Sequence, residues 1–266
     1  MPARPGPARW PQHAWSGVAA YIYVLELDAV GWAWEYLRRN IAYQRLWRHR
    51  YRLAADAVAP WHLAQLEDPG LDARQAHPVW QYPLADQVAL HGMRPTPGLA
   101  LPVFSLWALR GRKQVRALSG GYALQVRQAS HTLRAVCDVR AMEGAAADLV
   151  IPLNRYGSKR LRALQAQWRS APSERLFRDE AHRLDGQTYR ASRAGQLHLH
   201  ALMALDALQA NASHRDIAVA LVGEARTREQ WHADATLRGL VRHYLRRGRY
   251  FRDGGYRSLL TASRAG

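Results

Sequence analysis

"NASHRDIAVALVG", residues 211–223, decides how the C-terminal part of the chain folds. Ser213 is followed three residues later by Asp216, and Ile217, Ala218, Leu221 and Val222 then fall on one helical stripe. A serine with an acid at that spacing makes a capping box. The hydroxyl takes an orphan amide, and the carboxylate sits at the positive end of the helix. Gly223 can adopt the left-handed conformation that stops a helix, and Ala218 is small where a second helix could cross closely. The stretch predicts a short capped helix over 213–222 and asks for a partner.

The partner is "ATLRGLVRHYLRRGRY", residues 235–250. At 100° per residue, Leu237, Leu240, Val241, Tyr244 and Leu245 share one arc. Arg238, Arg242, Arg246 and Arg249 share the adjoining arc, and His243 and Arg247 extend the positive surface on the far side. No acid stands between 235 and 250. Such a helix packs through one side and presents guanidinium groups along another, and arginine suits both guanine edges and phosphates. The connection from Gly223 to Thr236 is longer than the 3–4 residues of a standard helix-turn-helix. Thr227 and Gln230 have capping-box spacing, so a short helix at 228–233, anchored by Trp231, is expected between. Either that helix or 235–249 could enter a groove. The candidate DNA-binding residues are Ser213, His214 and Arg215 at the start of the first helix, Arg226 and Arg228 in the connection, and Arg238, Arg242, Arg246, Arg247 and Arg249 on the last helix.

Charge supports a polyanion partner. The 266 residues carry 38 Lys plus Arg against 21 acids, a formal +17 and a pI near 10.9. A field of that sign favours nucleic acid. Residues 1–154 have a net charge of +6 and residues 155–266 a net of +11, so the site is expected in the C-terminal part. At 48% apolar the chain can bury a core. No apolar run approaches the roughly 18 residues of a membrane span, and the opening "MPARPGPARW" lacks the apolar region of a signal peptide. The single cysteine, Cys137, excludes an intrachain disulfide and the multi-cysteine zinc patterns. A cytoplasmic, nucleoid-associated protein is expected.

Along the chain, residues 1–10 read as disordered, and the pattern from Val18 to about Leu66 is helical. Tyr21, Val24 and Leu25 are at helix spacing, Trp34 and Leu37 share a face, Asn40 is a break, and Tyr43, Leu46 and Trp47 form the next face. Trp32, Trp34, Tyr43 and Trp47 are more aromatic surface than so small a module can bury, which suggests protein contacts. "EDPGLDARQAHPVW" (67–80) is a boundary. Beyond it, β-enriched runs flank a Gly120-Gly121 turn, "ADLVIPLN" reads as a strand, and Cys137 sits inside the β pattern as a buried apolar residue. Helical periodicity returns after "NRYGSKRLRALQAQW". The expected class is α+β: a helical module over 1–70, a β-containing middle over 71–155, and a helical DNA-binding domain over 156–266 with its helix-turn-helix core at about 196–260. A 156–266 fragment is then expected still to bind its operator specifically, but with reduced affinity and without activating transcription.

"HRDIAVALVG", Trp231, "LRGLVRHYLRRGRY" and "GGYRSLL" (254–260) together resemble the RovC-type DNA-binding domain. "GWAWEYLRRNIAYQRLW" (31–47) is similar to the transcriptional regulator-like domain that accompanies it in excision activators of integrative and conjugative elements. The resemblance implies an oligomeric activator that binds promoters of type VI secretion or mobile-element transfer genes. Double-stranded DNA and further copies of the chain are the implied partners, with RNA polymerase or an antiactivator protein as candidates. No cofactor, metal or catalytic residue is expected.

Other chemistries find less support. His243, Arg246 and Tyr250 echo the His-x-x-Arg and tyrosine of a tyrosine recombinase, but on one short helix they cannot surround a scissile phosphate. His198 and His200 in "LHLH" face apart on a helix and read as surface histidines. There is no G-x-S-x-G, and "LSGGYAL" lacks the spacing and lysine of a phosphate loop. A protein adaptor with an incidental basic face is the remaining alternative.

Overall fold

The structure, a computed structural model, describes residues 15, 17–52, 55–94, 97–98, 104–109, 111–127, 132–152, 161, 192–232 and 236–261. The expected disorder at 1–10 and the part of the expected C-terminal helical stretch before residue 192, Leu161 apart, lie outside these residues. The helices are α1 (Ala29–Leu37), α2 (Ile41–Arg48), α3 (Val139–Met142), α4 (Arg193–Gln209), α5 (His214–Val222), α6 (Glu224–Gln230), α7 (Thr236–Tyr250) and α8 (Tyr256–Thr261). The strands are β1 (Val88–Gly92), β2 (Arg112–Leu118), β3 (Gly121–Arg127), β4 (Thr132–Cys137) and β5 (Ala147–Val150). The class is α+β, as expected. No helix of the described residues is long and apolar enough to cross a membrane.

Two compact units share the chain. One takes Leu53–Glu67 and His77–Tyr189 with the last two residues, and is built on a five-stranded sheet of order β2-β3-β4-β1-β5. β2, β3 and β4 are antiparallel neighbours, and the β2–β3 register closes on Leu118 and Gly121, so the two-residue turn is Ser119-Gly120, one residue before the Gly120-Gly121 expected from the sequence, and Gly121 opens β3. β1 pairs parallel with β4 and antiparallel with β5. Alternate residues of the strands, among them Leu124, Val126, Ala135 and Cys137, make the apolar core. Cys137 is buried, as read, and burial pushes its thiol up to about 12.

The helical unit draws on both ends of the chain: Met1–Arg52, Asp68–Ala76 and Arg190–Arg264. Asp28 caps α1 by accepting from the Gly31 amide at 2.8 Å. Asn40 is the break expected, because its Oδ1 caps α2 by accepting from Ala42 and Tyr43. α1 is buried nearly all round, with Trp32 at 3% exposure and Trp34, Tyr36 and Leu37 at 0%. That overturns the reading of Trp32, Trp34 and Tyr43 as protein-contact surface; of the four aromatics only Trp47 is half-buried. The cover comes from segments distant in sequence: α4, the Phe251–Gly255 turn with α8, and, for Trp34, Leu71, whose carbonyl accepts from the indole N–H at 3.0 Å. The Trp32 ring stacks on His198 of α4 at 4.2 Å, and Tyr36 stacks on Phe251 at 4.9 Å.

His198 is therefore a core residue and not a surface histidine. It is 3% exposed and shares a 2.9 Å hydrogen bond with the Tyr36 hydroxyl. Burial, helped by the Arg247 charge, pushes it down to about 3. A histidine held neutral in the fold takes up its proton only on unfolding, so the fold is fully stable above about pH 6.5 and weakens as pH falls from there toward 3. We expect the slope of stability against pH in that window to gain up to about 1.4 kcal/mol per pH unit from this residue. Thermal melts of the wild type and His198→Gln between pH 7 and 5 check it: equal pH slopes in the two would refute the assignment.

Candidate nucleic-acid interface

The opening helix forms as its residues dictate. Ser213 Oγ accepts from the Asp216 amide at 3.1 Å, and the Asp216 carboxylate accepts from the Ser213 amide at 2.9 Å and its hydroxyl at 2.7 Å. Those bonds hold the Asp216 carboxyl below its ordinary value. Ile217 and Ala218 are buried against α4 and α7, at 1% and 0% exposure. Gly223 ends the helix at φ 86°, a left-handed conformation that a side chain would strain.

The next helix departs from expectation. α6 starts at Glu224, immediately after the Gly223 turn, and not at 228. Thr227 does not cap it; it lies inside the first turn at 0% exposure, its hydroxyl donating to the Gly223 carbonyl at 2.8 Å. α5 and α6 are thus a helix pair joined by one residue, and α7 follows after Trp231. Arg226 and Arg228 stand exposed on α6. Arg228 is 3.6 Å from Glu224, and the Arg226 Nε donates to Gln230 at 3.3 Å. Both are loose, solvent-exposed pairings of little net strength.

α7 buries Leu237, Val241, Leu245 and Gly248. Gly248 permits the closest approach, since a Cβ there would meet Leu205 Cγ at 2.7 Å and the Ala201 carbonyl at 2.8 Å, both on α4. Leu240, expected in the core, is 36% exposed. The buried stripe is turned toward the Gly248 edge because α4 covers that side.

Arg242, Arg246 and Arg249 are exposed, and none has a carboxylate of the described residues within ion-pair distance. Arg238 is half-buried, its guanidinium 5.6 Å over the Trp231 ring. Arg247, expected on an open positive face, is half-buried 5.3 Å over Phe251, and its Nε has no hydrogen-bond partner among the described residues. His243 is half-buried beside Tyr244. His214 and Arg215 are exposed at the start of α5, whereas the Ser213 hydroxyl is committed to its cap. The exposed cations thus lie on the first turn of α5, on α6 and along α7. Among the described residues no group of His, Cys, Asp or Glu could hold a metal ion.

A pair of substitutions separates packing from contact on α7. Leu245→Ala is expected to cost on the order of 2–5 kcal/mol, as truncation of a buried leucine does. Arg242→Ala is expected to change stability by no more than about 0.5 kcal/mol, as on any exposed surface, while weakening DNA binding. Denaturant melts beside DNA titrations read both; melting by Arg242→Ala with affinity of the folded fraction intact would reverse the faces.

The motifs at the two ends of the chain meet in this unit. α1 packs on the Phe251–Gly255 turn and on α8, and the Asn40 side chain donates to the Arg252 carbonyl at 2.8 Å. "GWAWEYLRRN" and "GGYRSLL" are therefore two halves of one core. Among curated proteins none matches the chain. Two family models do: residues 150–261 match the DNA-binding domain of a transcription factor linked to type VI secretion, and residues 14–66 match the proteobacterial transcriptional regulator-like domain. The chain joins these two domains, and that is the make-up of a DNA-binding transcriptional regulator.

Proposed function

We propose that the protein binds duplex DNA sequence-specifically through α6 and α7, and activates type VI secretion or mobile-element transfer genes. The observation that carries this reading is the row of exposed arginines on α7 without carboxylate partners among the described residues, set on a helix whose opposite side is locked into the core. A rigid helix with free guanidinium groups can offer bidentate contact to guanine edges and charge to phosphates. His214, Arg215, Arg226 and Arg228 add contacts on the preceding helix pair. The protein acts by binding, without a catalytic step or cofactor. It works in the cytoplasm at the nucleoid, as a homo-oligomer whose linked DNA-binding units raise affinity through effective concentration. RNA polymerase or an antiactivator protein is its further partner.

The deciding experiment is enrichment of genomic fragments bound by the protein, followed by sequencing. A shared motif upstream of such genes supports the reading, and recovery of fragments without one refutes sequence specificity. Binding is also expected to weaken with salt, at about −0.9 in log–log slope per phosphate contact on duplex DNA. A slope steeper than about −3 is expected from several arginines. A nearly flat titration would remove the electrostatic footprint.

A further inference from the structure

The end of α2 carries a charge cluster that α6 and α7 do not use. Between Ile41 and Arg52 stand four arginines and no acid. Arg45, Arg48 and Arg52 are exposed, and none has a carboxylate of the described residues within ion-pair distance. Cations in the last turn of a helix complement its negative end. That accounts for Arg45 and Arg48 but not for Arg50 and Arg52, which lie beyond it in a 3-10 turn.

Arg50 is held by its neighbours. Its guanidinium sits 4.4 Å over the Trp47 ring and 4.4 Å over the Tyr51 ring, with Nη1 donating to the Trp47 carbonyl at 3.1 Å and Nη2 to the Tyr51 hydroxyl at 2.9 Å. Tyr51 itself is 85% exposed. The turn is thus a stiffened knob of positive charge with an aromatic face in solvent.

Its place in the fold gives it a use. The Asn40 side chain bonds the Arg252 carbonyl at 2.8 Å, which fixes the start of α2 to the turn that follows α7. α2 has eight residues, roughly 12 Å at 1.5 Å per residue. The cluster therefore begins within roughly 20 Å of the C-terminal end of the arginine helix, less than one turn of duplex at about 34 Å. We propose that Arg45, Arg48 and Arg52 form a second DNA-binding site that grips the phosphate backbone beside the segment α7 meets. The site rests on the DNA-binding reading above. It holds phosphate and reads no bases: Arg50 is sequestered between two rings, and contacts to phosphate fix register without carrying sequence.

The test uses the full chain and a random-sequence duplex of about 30 base pairs. The triple variant Arg45→Ala/Arg48→Ala/Arg52→Ala should melt like the wild type. Its salt slope should be shallower by about 2–3, and its affinity at 0.15 M salt lower by roughly 10- to 100-fold. Lysine at the same three positions should restore the slope, because phosphate needs the charge and not the fork. Tyr51→Cys allows a direct readout, since the one native cysteine is buried with its thiol pushed up to about 12 and leaves the new thiol as the reactive one. A photocrosslinker placed there should capture duplex DNA. A triple variant with the wild-type slope, beside an Arg242→Ala/Arg246→Ala variant whose slope is shallower, overturns the second site and leaves the α7 interface standing. A wild type with no salt-dependent affinity overturns both.

Discussion

Glu35→Gln is expected to cost the helical unit about 3–5 kcal/mol, the usual result of removing one partner from a buried ion pair. Glu35 is fully buried on α1, and its carboxylate is paired with Arg38 Nε at 2.7 Å and with Arg39. Its other oxygen accepts from the Ala73 amide at 2.7 Å. Arg39 in turn makes a two-pronged bond to Asp206 of α4, at 2.7 and 2.8 Å, and Tyr21 donates to the same carboxylate at 2.7 Å. A neutral amide at residue 35 leaves two buried guanidinium groups short of charge. Nothing at that position can touch DNA, yet affinity should fall with the folded fraction, because small domains hold only about 5–15 kcal/mol in reserve. The same residue sets an acid limit. Burial alone would raise the Glu35 carboxyl, but Arg38 and Arg39 outweigh it and hold the group down at about 2. With a depressed folded value its contribution is fully present above about pH 4.5 and is lost as pH falls toward 2. The stability gap between wild type and Glu35→Gln should be constant at neutral pH and narrow below about 4.5. A variant melting within about 2 °C of the wild type at pH 7 would show that the network adds nothing.

What could be read from the sequence was what neighbours in sequence decide. The Ser213–Asp216 box and the Asn40 break each depend on a few adjacent residues and stand where the spacing puts them, and the hairpin turn falls one residue before Gly120-Gly121. What escaped was set by distant segments. The arc of α7 was visible on a helical wheel, but whether Leu240 or Gly248 closes it depends on where α4 lies. Trp32 and Trp34 looked like surplus aromatic surface because the residues that cover them begin near Arg193 and Leu71. Thr227 has the spacing of a cap, and the wheel cannot tell that Gly223 has already started the helix. The parallel pairing of β1 with β4 across more than forty residues leaves no local mark. On the α7 candidates, the arginines of the exposed face were legible as charge. The half-burial of Arg238 and Arg247 was not, since it needs the Trp231 and Phe251 rings.

That dependence on distant segments changes what a dissection of the chain should give. Removing residues 1–52 is expected to leave the C-terminal helices unfolded and without DNA affinity, so the 156–266 fragment will not act alone as its sequence suggests. α1 supplies Trp32, Trp34, Tyr36 and Leu37 to the core, and each such side chain contributes about 1.5–3 kcal/mol on burial. Four of them amount to roughly 6–12 kcal/mol, comparable to the whole stability of a small domain. The deletion also strips Arg39 from Asp206 and exposes His198, Phe251 and Tyr256, whose covering rings and backbone come from α1 and the Val18–Glu26 turn. Adding a 14–76 polypeptide in trans, which carries the Asp68–Ala76 segment of the same unit, should restore helical signal and DNA binding in a concentration-dependent way, because the two pieces then rebuild one core. Circular dichroism, thermal melts and DNA titrations of the fragment, alone and with its complement, measure this. A 156–266 fragment that melts cooperatively near the full-length temperature and binds DNA unaided would show that the arginine helix needs no N-terminal support.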